Sequence, residues 1–512
     1  MKPDERLAVI DLGSNSFRLV VFTAGEGWWR RTDEIYEPVR IGEGLAGTGK
    51  LGKAPMRRAL ATLDVFAHFC RAAGLGPESV DAVATSAIRD AENAEEFLAR
   101  ARECFGMPIR VLSREAEARY GYLAAVNSTT LSDGCVLDLG GGSMQLVRVR
   151  ERLPVELGSW RVGTVRMSER FLPPNGPAKR RQLEELREHV AGELQDVAWL
   201  REAARAPGGG CMVGIGGTVR NLAAAAQRAS GLPTNGVQGA LIDADVLAEL
   251  VERLAALPAA ERASIPGIKP ARADLILAGA VVVQGVLEAG GFDALRSTEA
   301  GLREGVFFER LLADRDPPLF ADVRRASILN IAAQYQVGAE HTRHVAALAL
   351  GMFDELAELG LHDGDPRERE LLWAASMLHD IGMSIDYDDH HKHSRYLILN
   401  SGLPGYSPVE TAIIAQAVRY HRKGMPVAGP MAPLFGEGDA ERLDRCAVLL
   451  RLAEDLERSR DQLVRSTSVA LHDDVVELRL TVEGESAVPR WAAGRERELF
   501  ARAFHRGLAV AA

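Results

Sequence analysis

This 512-residue chain has no excess of positive charge: 61 Lys and Arg stand against 71 Asp and Glu, a formal net charge of -10. Such a balance argues against general nucleic-acid binding, so no DNA partner is expected, and a polyanion would need local basic patches and a cation to approach. Long apolar runs are missing as well. The most apolar stretch, Leu275 to Leu287, is interrupted by Gln284 and falls short of the roughly 20 residues that cross a bilayer. It reads as a core helix, and no membrane partner is expected. The opening MKPDERLAVIDLG passes from charges straight into a strand pattern, unlike a signal peptide. Cysteine is sparse. Cys70, Cys104, Cys135, Cys211 and Cys446 show neither metal-site spacing nor a pairing logic, which fits free thiols in a reducing cytoplasm.

What is present is ordinary globular material: 47% apolar and 26% charged residues, with no compositional sign of disorder. At about 150 residues per domain the length predicts about three or four domains. Many of the 50 glycines sit in turns directly after apolar runs.

The most informative feature is a repeat. Residues 9–20 read VIDLGSNSFRLV and residues 136–147 read VLDLGGGSMQLV, aligned without gaps at an offset of 138 − 11 = 127. Asp11 falls on Asp138, Gly13 on Gly140 and Ser16 on Ser143. Each copy is a β-branched run, a tight turn of small residues and a second apolar run, the pattern of a hairpin. Two copies predict a duplicated domain with a pseudo-twofold axis through a central cleft. Turns of small residues let backbone N–H groups converge on phosphate oxygens. The candidates are Gly13, Ser14, Asn15 and Ser16 in one copy and Gly140, Gly141, Gly142 and Ser143 in the other. A strand-end aspartate suits Mg²⁺, which takes few carboxylates and fills its shell with water and substrate phosphates.

A third glycine turn, in VGIGGTVRNLAAAA at 213–226, follows a strand ending at Ile215 and leads into a helix. Gly216, Gly217 and Thr218 are anion-binding candidates there, through exposed amides and the helix dipole. The turn is neither a Walker loop nor a dinucleotide fingerprint. Between the copies, AVATSAIRDAENAEEFLARARECFG at 82–106 predicts a strand, a turn holding Arg89, and a helix with Asn93 as N-cap and Gly106 as stop. An arginine at such a turn is placed to hold a terminal phosphate. RVLSREAEARYGYLAAV at 110–126 predicts a strand and a helix carrying Glu115 and Glu117. Either carboxylate could act as general base toward water, and spacing alone does not choose between them.

Taken in order, VIDLGSNSFRLVVF, ATSAIRDAEN, VLSREAEARYGYLAAV, VLDLGGGSMQLV, VGIGGT and EAGLREGV closely resemble the exopolyphosphatase and guanosine pentaphosphate phosphohydrolase family, which belongs to the actin, sugar-kinase and chaperone-ATPase superfold. The resemblance covers most of the first ~310 residues. It implies release of terminal phosphate from polyphosphate or guanosine pentaphosphate, with Glu117 activating water and Arg89 holding the terminal phosphate. It also implies that Asp11 and Asp138 position Mg²⁺ in the inter-lobe cleft, and that the chain forms a homodimer. The family usually has glycine after the serine matching Ser113; Arg114 stands there, and Glu115 is displaced by one from the usual second acid. A sugar-kinase-like phosphotransferase and a non-catalytic alarmone or polyphosphate sensor remain as alternative readings. Arg161, Arg166, Arg170, Lys269 and Arg272 are further cations suited to a long anion.

After the Pro-Pro break of DRDPPLF at 314–320, helical patterns dominate. Eight of the twelve histidines fall between 341 and 421. The order His341, His379-Asp380, Glu454 resembles the HD-domain superfamily of metal-dependent phosphohydrolases, and implies a divalent transition-metal site on those four residues. His390, His391, His393 and His421 could add ligands or bind phosphate. The usual final aspartate is replaced by Glu454, with Asp455 beside it. The expected fold is thus α/β: two actin-like lobes at 1–125 and 126–312, an all-α HD-like domain at 321–465, and a small α+β cap at 466–512.

Overall fold

The computed structural model describes residues 5–207, 209–233, 236–335 and 338–511. They form two compact units, one running to Val323 and one from Arg324 onward (residues 232–235 excepted).

The first unit contains two sheets of matching design. Strands β1 (Glu5–Leu12), β2 (Phe17–Gly25), β3 (Trp28–Glu37), β4 (Val80–Ala84) and β5 (Ile109–Val111) are ordered β3-β2-β1-β4-β5. The second sheet is built from β6 (Gly134–Leu139), β7 (Met144–Arg150), β8 (Leu153–Trp160), β9 (Cys211–Ile215), β10 (Leu241–Asp243) and β11 (Ala294–Ser297). Its order is β10-β11-β9-β6-β7-β8. Apart from the extra edge strand β10, strand for strand the orders agree, with antiparallel pairing in the β1–β2–β3 and β6–β7–β8 meanders and parallel pairing onward to β4, β5 and to β9, β11. This is the duplicated actin-like architecture.

Strand periodicity explains how the site arises. In β1, Ala8, Ile10 and Leu12 enter the first lobe's own core, whereas Leu7 and Val9 enter a core shared between the lobes. In β6, Cys135, Leu137 and Leu139 enter the second lobe's core and Val136 enters the shared one. Successive side chains alternate faces. Asp11 and Asp138 therefore continue the rows of Val9 and Val136, and emerge where the shared apolar layer ends. Two helices, Arg114–Val126 and Leu302–Leu311, complete that layer through Leu123, Val126, Phe307 and Phe308. They approach so closely that a Cβ on Gly305 would lie 1.9 Å from the Tyr120 carbonyl oxygen. Only glycine fits there.

The apolar run around Leu275 forms a helix, Ile276–Gly290, most of it buried. Arg89 ends a one-turn helix, Ser86–Arg89, and Gly106 stops the helix Ala94–Phe105 in the left-handed region. Asn93 precedes that helix without capping it through its side chain. Its amide instead pairs with the backbone of Leu51, accepting from N at 2.8 Å and donating to O at 3.1 Å.

In the second unit, helices Ala339–Glu358, Pro366–Leu378, Pro408–Arg419 and Asp439–Leu456 surround one core. Strands β12 (Val464–His472), β13 (Val475–Val482) and β14 (Gly507–Ala511) form a three-stranded sheet. Val476, Leu478, Leu480, Phe500 and Phe504 join the helical core, so sheet and helices are stabilised by one apolar cluster.

Candidate functional site

The two repeated turns face each other across a cleft. A Cβ on Gly13 would stand 3.1 Å from the Ser16 carbonyl oxygen, and one on Gly140 would stand 3.1 Å from that of Ser143, so the copies share one close approach. The turns also touch. A Cβ on Gly142 would lie 2.6 Å from Ser86 Oγ and 2.9 Å from Ser14 Oγ, and one on Gly141 would lie 3.1 Å from Ser14 Cβ. The second turn is backed by the helix Thr164–Phe171, whose Thr164 N donates to Gly140 O and Val165 N to Gly141 O.

The cleft, with about 750 Å³ of space counting what is open to solvent, is lined by Asp11, Gly13, Ser14, Asn15, Ser16, Glu117, Asp138, Gly140, Gly141, Gly216 and Gly217. Asp11 and Asp138 thus border one cavity. Thr218 does not line it: its side chain is turned inward, and a Cβ on Gly279 would stand 2.4 Å from Thr218 Cγ2. Gly142 and Ser143 are likewise not among the residues that line it.

Glu117 sits four residues into its helix, which Ser113 caps by accepting from Ala116 N. It is 5% exposed. Its Oε2 accepts from Arg89 Nη1 at 2.6 Å, and its Oε1 from Ser143 Oγ at 3.5 Å. Arg89 Nη1 also donates to Leu112 O. Glu115, two residues earlier, is exposed. The geometry therefore separates the two acids: Glu117 faces the cleft and Glu115 the solvent.

Burial raises the Glu117 carboxyl above its usual range, with Arg89 opposing. Burial likewise raises Asp11, against Arg303, and pushes Asp138 up to about 7 with help from Glu117 and Asp11. One buried carboxylate, Glu117, and two half-buried ones, Asp11 and Asp138, with Asp11 raising the proton affinity of both the others, set among serine, asparagine and backbone oxygens, are a hard-cation donor set.

Four arginines frame this acid cluster: Arg18, Arg220, Arg272 and Arg303. Arg18 lies directly opposite Asp11 in the β1–β2 register, so both project on one face. Arg303 Nη1 donates to Asp11 Oδ2 at 3.2 Å. The Arg272 guanidinium covers Gly217, where a Cβ would meet Nη2 at 2.6 Å. Burial and Arg303 lower Arg220 to about 10. Of these four, only Arg272 is foreseen from sequence as an anion-binding cation. Arg303 lies within a recognised motif, EAGLREGV, but its chemistry shows only when β11 and its helix are folded. Its position mirrors Glu117, since 303 − 297 and 117 − 111 both give six residues beyond a strand end.

Next to the Glu117 partner Arg89, Asp90 is surrounded by four guanidinium groups: Arg161 at 3.2 Å, Arg89 itself at 3.6 Å, Arg166 at 3.8 Å and Arg114 at 4.0 Å. Arg161 and Arg166 come from the second lobe and Asp90 from the first, so these pairs join the two lobes. Arg170 instead stacks on Phe171.

In the second unit, His341, His379, Asp380 and Glu454 converge. Glu454 Oε2 is 3.0 Å from His341 Nε2 and 3.2 Å from His379 Nε2, and Asp380 lies 3.6–3.8 Å from the same nitrogens. Burial would lower His379, but Asp380 and Glu454 outweigh it and hold the ring protonated up to about 9. Asp455 faces elsewhere, 3.6 Å from Arg458. Glu454, not its neighbour, occupies the cluster.

A duplicated actin-like fold with small-residue turns, strand-end aspartates and an arginine-framed cleft defines the phosphate-handling class of this superfold. The chain matches the Ppx/GppA phosphatase family over residues 20–314, and domain III of the same family over residues 323–488. It belongs to the Ppx/GppA phosphatase family. It is similar to the solved Ppx/GppA family member of Aquifex aeolicus, at 29% identity over 61% of this chain and 99% of that one, TM-score 0.51. It also resembles a solved exopolyphosphatase-like protein, at 27% identity over 59% and 96% of the two chains, TM-score 0.52. An exopolyphosphatase from Cytophaga hutchinsonii shares the fold at 22% identity over 60% and 98%, TM-score 0.55. No described helix is long and apolar enough to cross a membrane.

Proposed function

We propose that the cleft removes the terminal phosphate from a linear phosphoanhydride, either inorganic polyphosphate or guanosine pentaphosphate. The observation that carries this reading is the placement of Glu117, bonded to Arg89, in one cavity with Asp11, Asp138 and both small-residue turns. Water attacks the terminal phosphorus, Glu117 takes its proton, and the bond to the bridging oxygen breaks, leaving orthophosphate and a chain one unit shorter. Arg89 orients Glu117 and, with Arg303, offsets charge on the equatorial oxygens. The amides around Gly13–Ser16 and Gly140–Ser143 hold neighbouring oxygens. Asp11 and Asp138 would hold Mg²⁺, which would supply charge neutralisation for the phosphoryl groups. His341, His379, Asp380 and Glu454 are read as a separate divalent transition-metal site.

The arginine cluster around Asp90 supports a chain substrate. Four arginines around one aspartate leave a local excess of positive charge beside the terminal-phosphate position, suited to successive phosphates. The free thiols fit a reducing compartment such as the cytoplasm.

A phosphate-release assay on long polyphosphate and on guanosine pentaphosphate, with and without Mg²⁺ and without any acceptor, tests the reading. Release from at least one substrate that stops when the divalent ion is chelated is expected. Phosphate transfer that requires an alcohol acceptor would contradict it in favour of a kinase.

A further inference from the structure

The ring of arginines around Asp90 is larger than one carboxylate needs. The Asp90 side chain is 8% exposed, and Arg89, Arg114, Arg161 and Arg166 approach its oxygens at 3.2–4.0 Å. A fully formed guanidinium–carboxylate hydrogen bond is about 2.7–2.9 Å long, so Asp90 holds none of the four that closely. Elsewhere in the chain such pairs do close: Arg445 Nε and Nη2 lie 2.7 Å and 2.6 Å from the two oxygens of Glu368.

The donors of the ring are correspondingly underused. Arg89 Nη1 is taken by Glu117 Oε2 and Leu112 O. Its Nε, the atom nearest Asp90, is buried and has no hydrogen-bond partner. Arg166 Nε donates to Gly142 O at 3.3 Å, in the second small-residue turn, and leaves Nη2 for Asp90 at 3.8 Å. Arg161 and Arg114 are 58% and 45% exposed, so the ring is open to solvent on their side.

Four guanidinium groups gathered at this range repel one another unless an anion stands between them. A carboxylate offers two oxygens and a single charge. A phosphoryl group offers three oxygens and up to about two charges, which matches the ring better.

We propose that Asp90 is a built-in stand-in for phosphate. It fills a phosphoryl subsite made by Arg89, Arg114, Arg161 and Arg166 until a phosphate of the substrate displaces it. This rests on the reading of the chain as a phosphoanhydride hydrolase and adds a competing anion of the chain's own. Asp90 keeps the four cations together beforehand, and it sets the affinity that an incoming anion must exceed. Arg89 spans Asp90 and Glu117, so the displacing phosphate lies one guanidinium away from the base.

The test uses the full chain with Asp90→Asn, which keeps the shape and removes the charge, and imidodiphosphate as an unhydrolysed probe. Calorimetry is expected to show the variant binding the probe about tenfold tighter than the unaltered chain, because a like charge has left the subsite. Adding Arg161→Gln should return the affinity toward the unaltered value. Thermal unfolding reads the same effect: Asp90→Asn should unfold at lower temperature without the probe and gain more from it. A carboxylate that only positions the arginines would act in the opposite sense. Equal or weaker binding in a folded Asp90→Asn therefore overturns the inference. If that variant misfolds, a structure of the unaltered chain with imidodiphosphate decides. A phosphoryl group among the four arginines, with Asp90 turned away, is expected; an intact Asp90–Arg161 contact beside a ligand bound elsewhere overturns it. Phosphate release by the unaltered chain, measured in parallel, keeps the two readings apart. Release without tighter binding in the variant removes the role of Asp90 alone. No release from polyphosphate or guanosine pentaphosphate removes the functional reading and this inference with it.

Discussion

Arg89 Nη1 donates to Glu117 Oε2 at 2.6 Å, and both side chains are largely buried, at 14% and 7% exposure. The pair joins the turn after β4 to the helix after β5. A buried carboxylate without that partner would be protonated over a wider range, so Arg89 fixes the Glu117 carboxylate in place and opposes the rise in pKa that burial imposes on it.

Glu117→Gln preserves shape and hydrogen bonding while removing the base. We expect a folded protein with kcat lowered by about 100-fold or more. Glu115→Gln, at an exposed position, should turn over near the wild-type rate. Phosphate release with circular dichroism as the folding control checks both, and near-normal turnover in Glu117→Gln would remove that residue from its role.

Arg89→Gln should move the pH profile. Arg89 lowers the Glu117 pKa against the raising effect of burial, so its removal lets the pKa rise. The base works only when deprotonated, hence the acidic limb of kcat/KM shifts to higher pH, and part of the lost activity returns as pH increases. A uniform loss at every pH would point to phosphate binding alone.

Gly163 carries the clearest steric constraint on a phosphate turn. A Cβ there would stand 2.3 Å from Gly142 C and 2.4 Å from Gly141 O and Ser143 N, all backbone, so Gly163→Ala should displace the turn and cut activity sharply. Gly192, inside the helix Arg180–Leu194, has nothing within 4 Å of its added Cβ. Gly192→Ala should therefore raise stability by about 0.5–1 kcal/mol at unchanged activity. Thermal unfolding and turnover measured together distinguish the two.

Arg161→Gln and Arg166→Gln should raise KM for long polyphosphate more than for short chains, and flatten its salt dependence, because both groups gather with Arg89 around Asp90. Equal effects on all chain lengths would place the chain's path elsewhere.

Much of this site is readable before folding because the repeat is ungapped. Strand parity carries Asp11 and Asp138 to equivalent places, and β-branched runs with glycine turns define both hairpins. Other parts depend on relationships that a linear pattern does not contain. Arg18 and Arg220 look like ordinary strand and helix cations until β1–β2 register and the β9 turn bring them to the cleft. Glu115 and Glu117 differ only in helical phase. Thr218 faces the core because the helix Gly217–Ala229 turns it toward Gly279. Strand β14 pairs in parallel with β13 across a helical excursion, a contact no local alternation signals.

The central claim is that one divalent ion sits between Asp11 and Asp138 while the two turns hold adjacent phosphoryl oxygens. The most direct measurement is the Mg²⁺ dependence of phosphate release for Asp11→Asn and Asp138→Asn, each beside the unaltered enzyme. The account predicts that either substitution raises the Mg²⁺ requirement at least about tenfold, about 1.4 kcal/mol, with the fold intact. Unchanged Mg²⁺ dependence in both variants would contradict it.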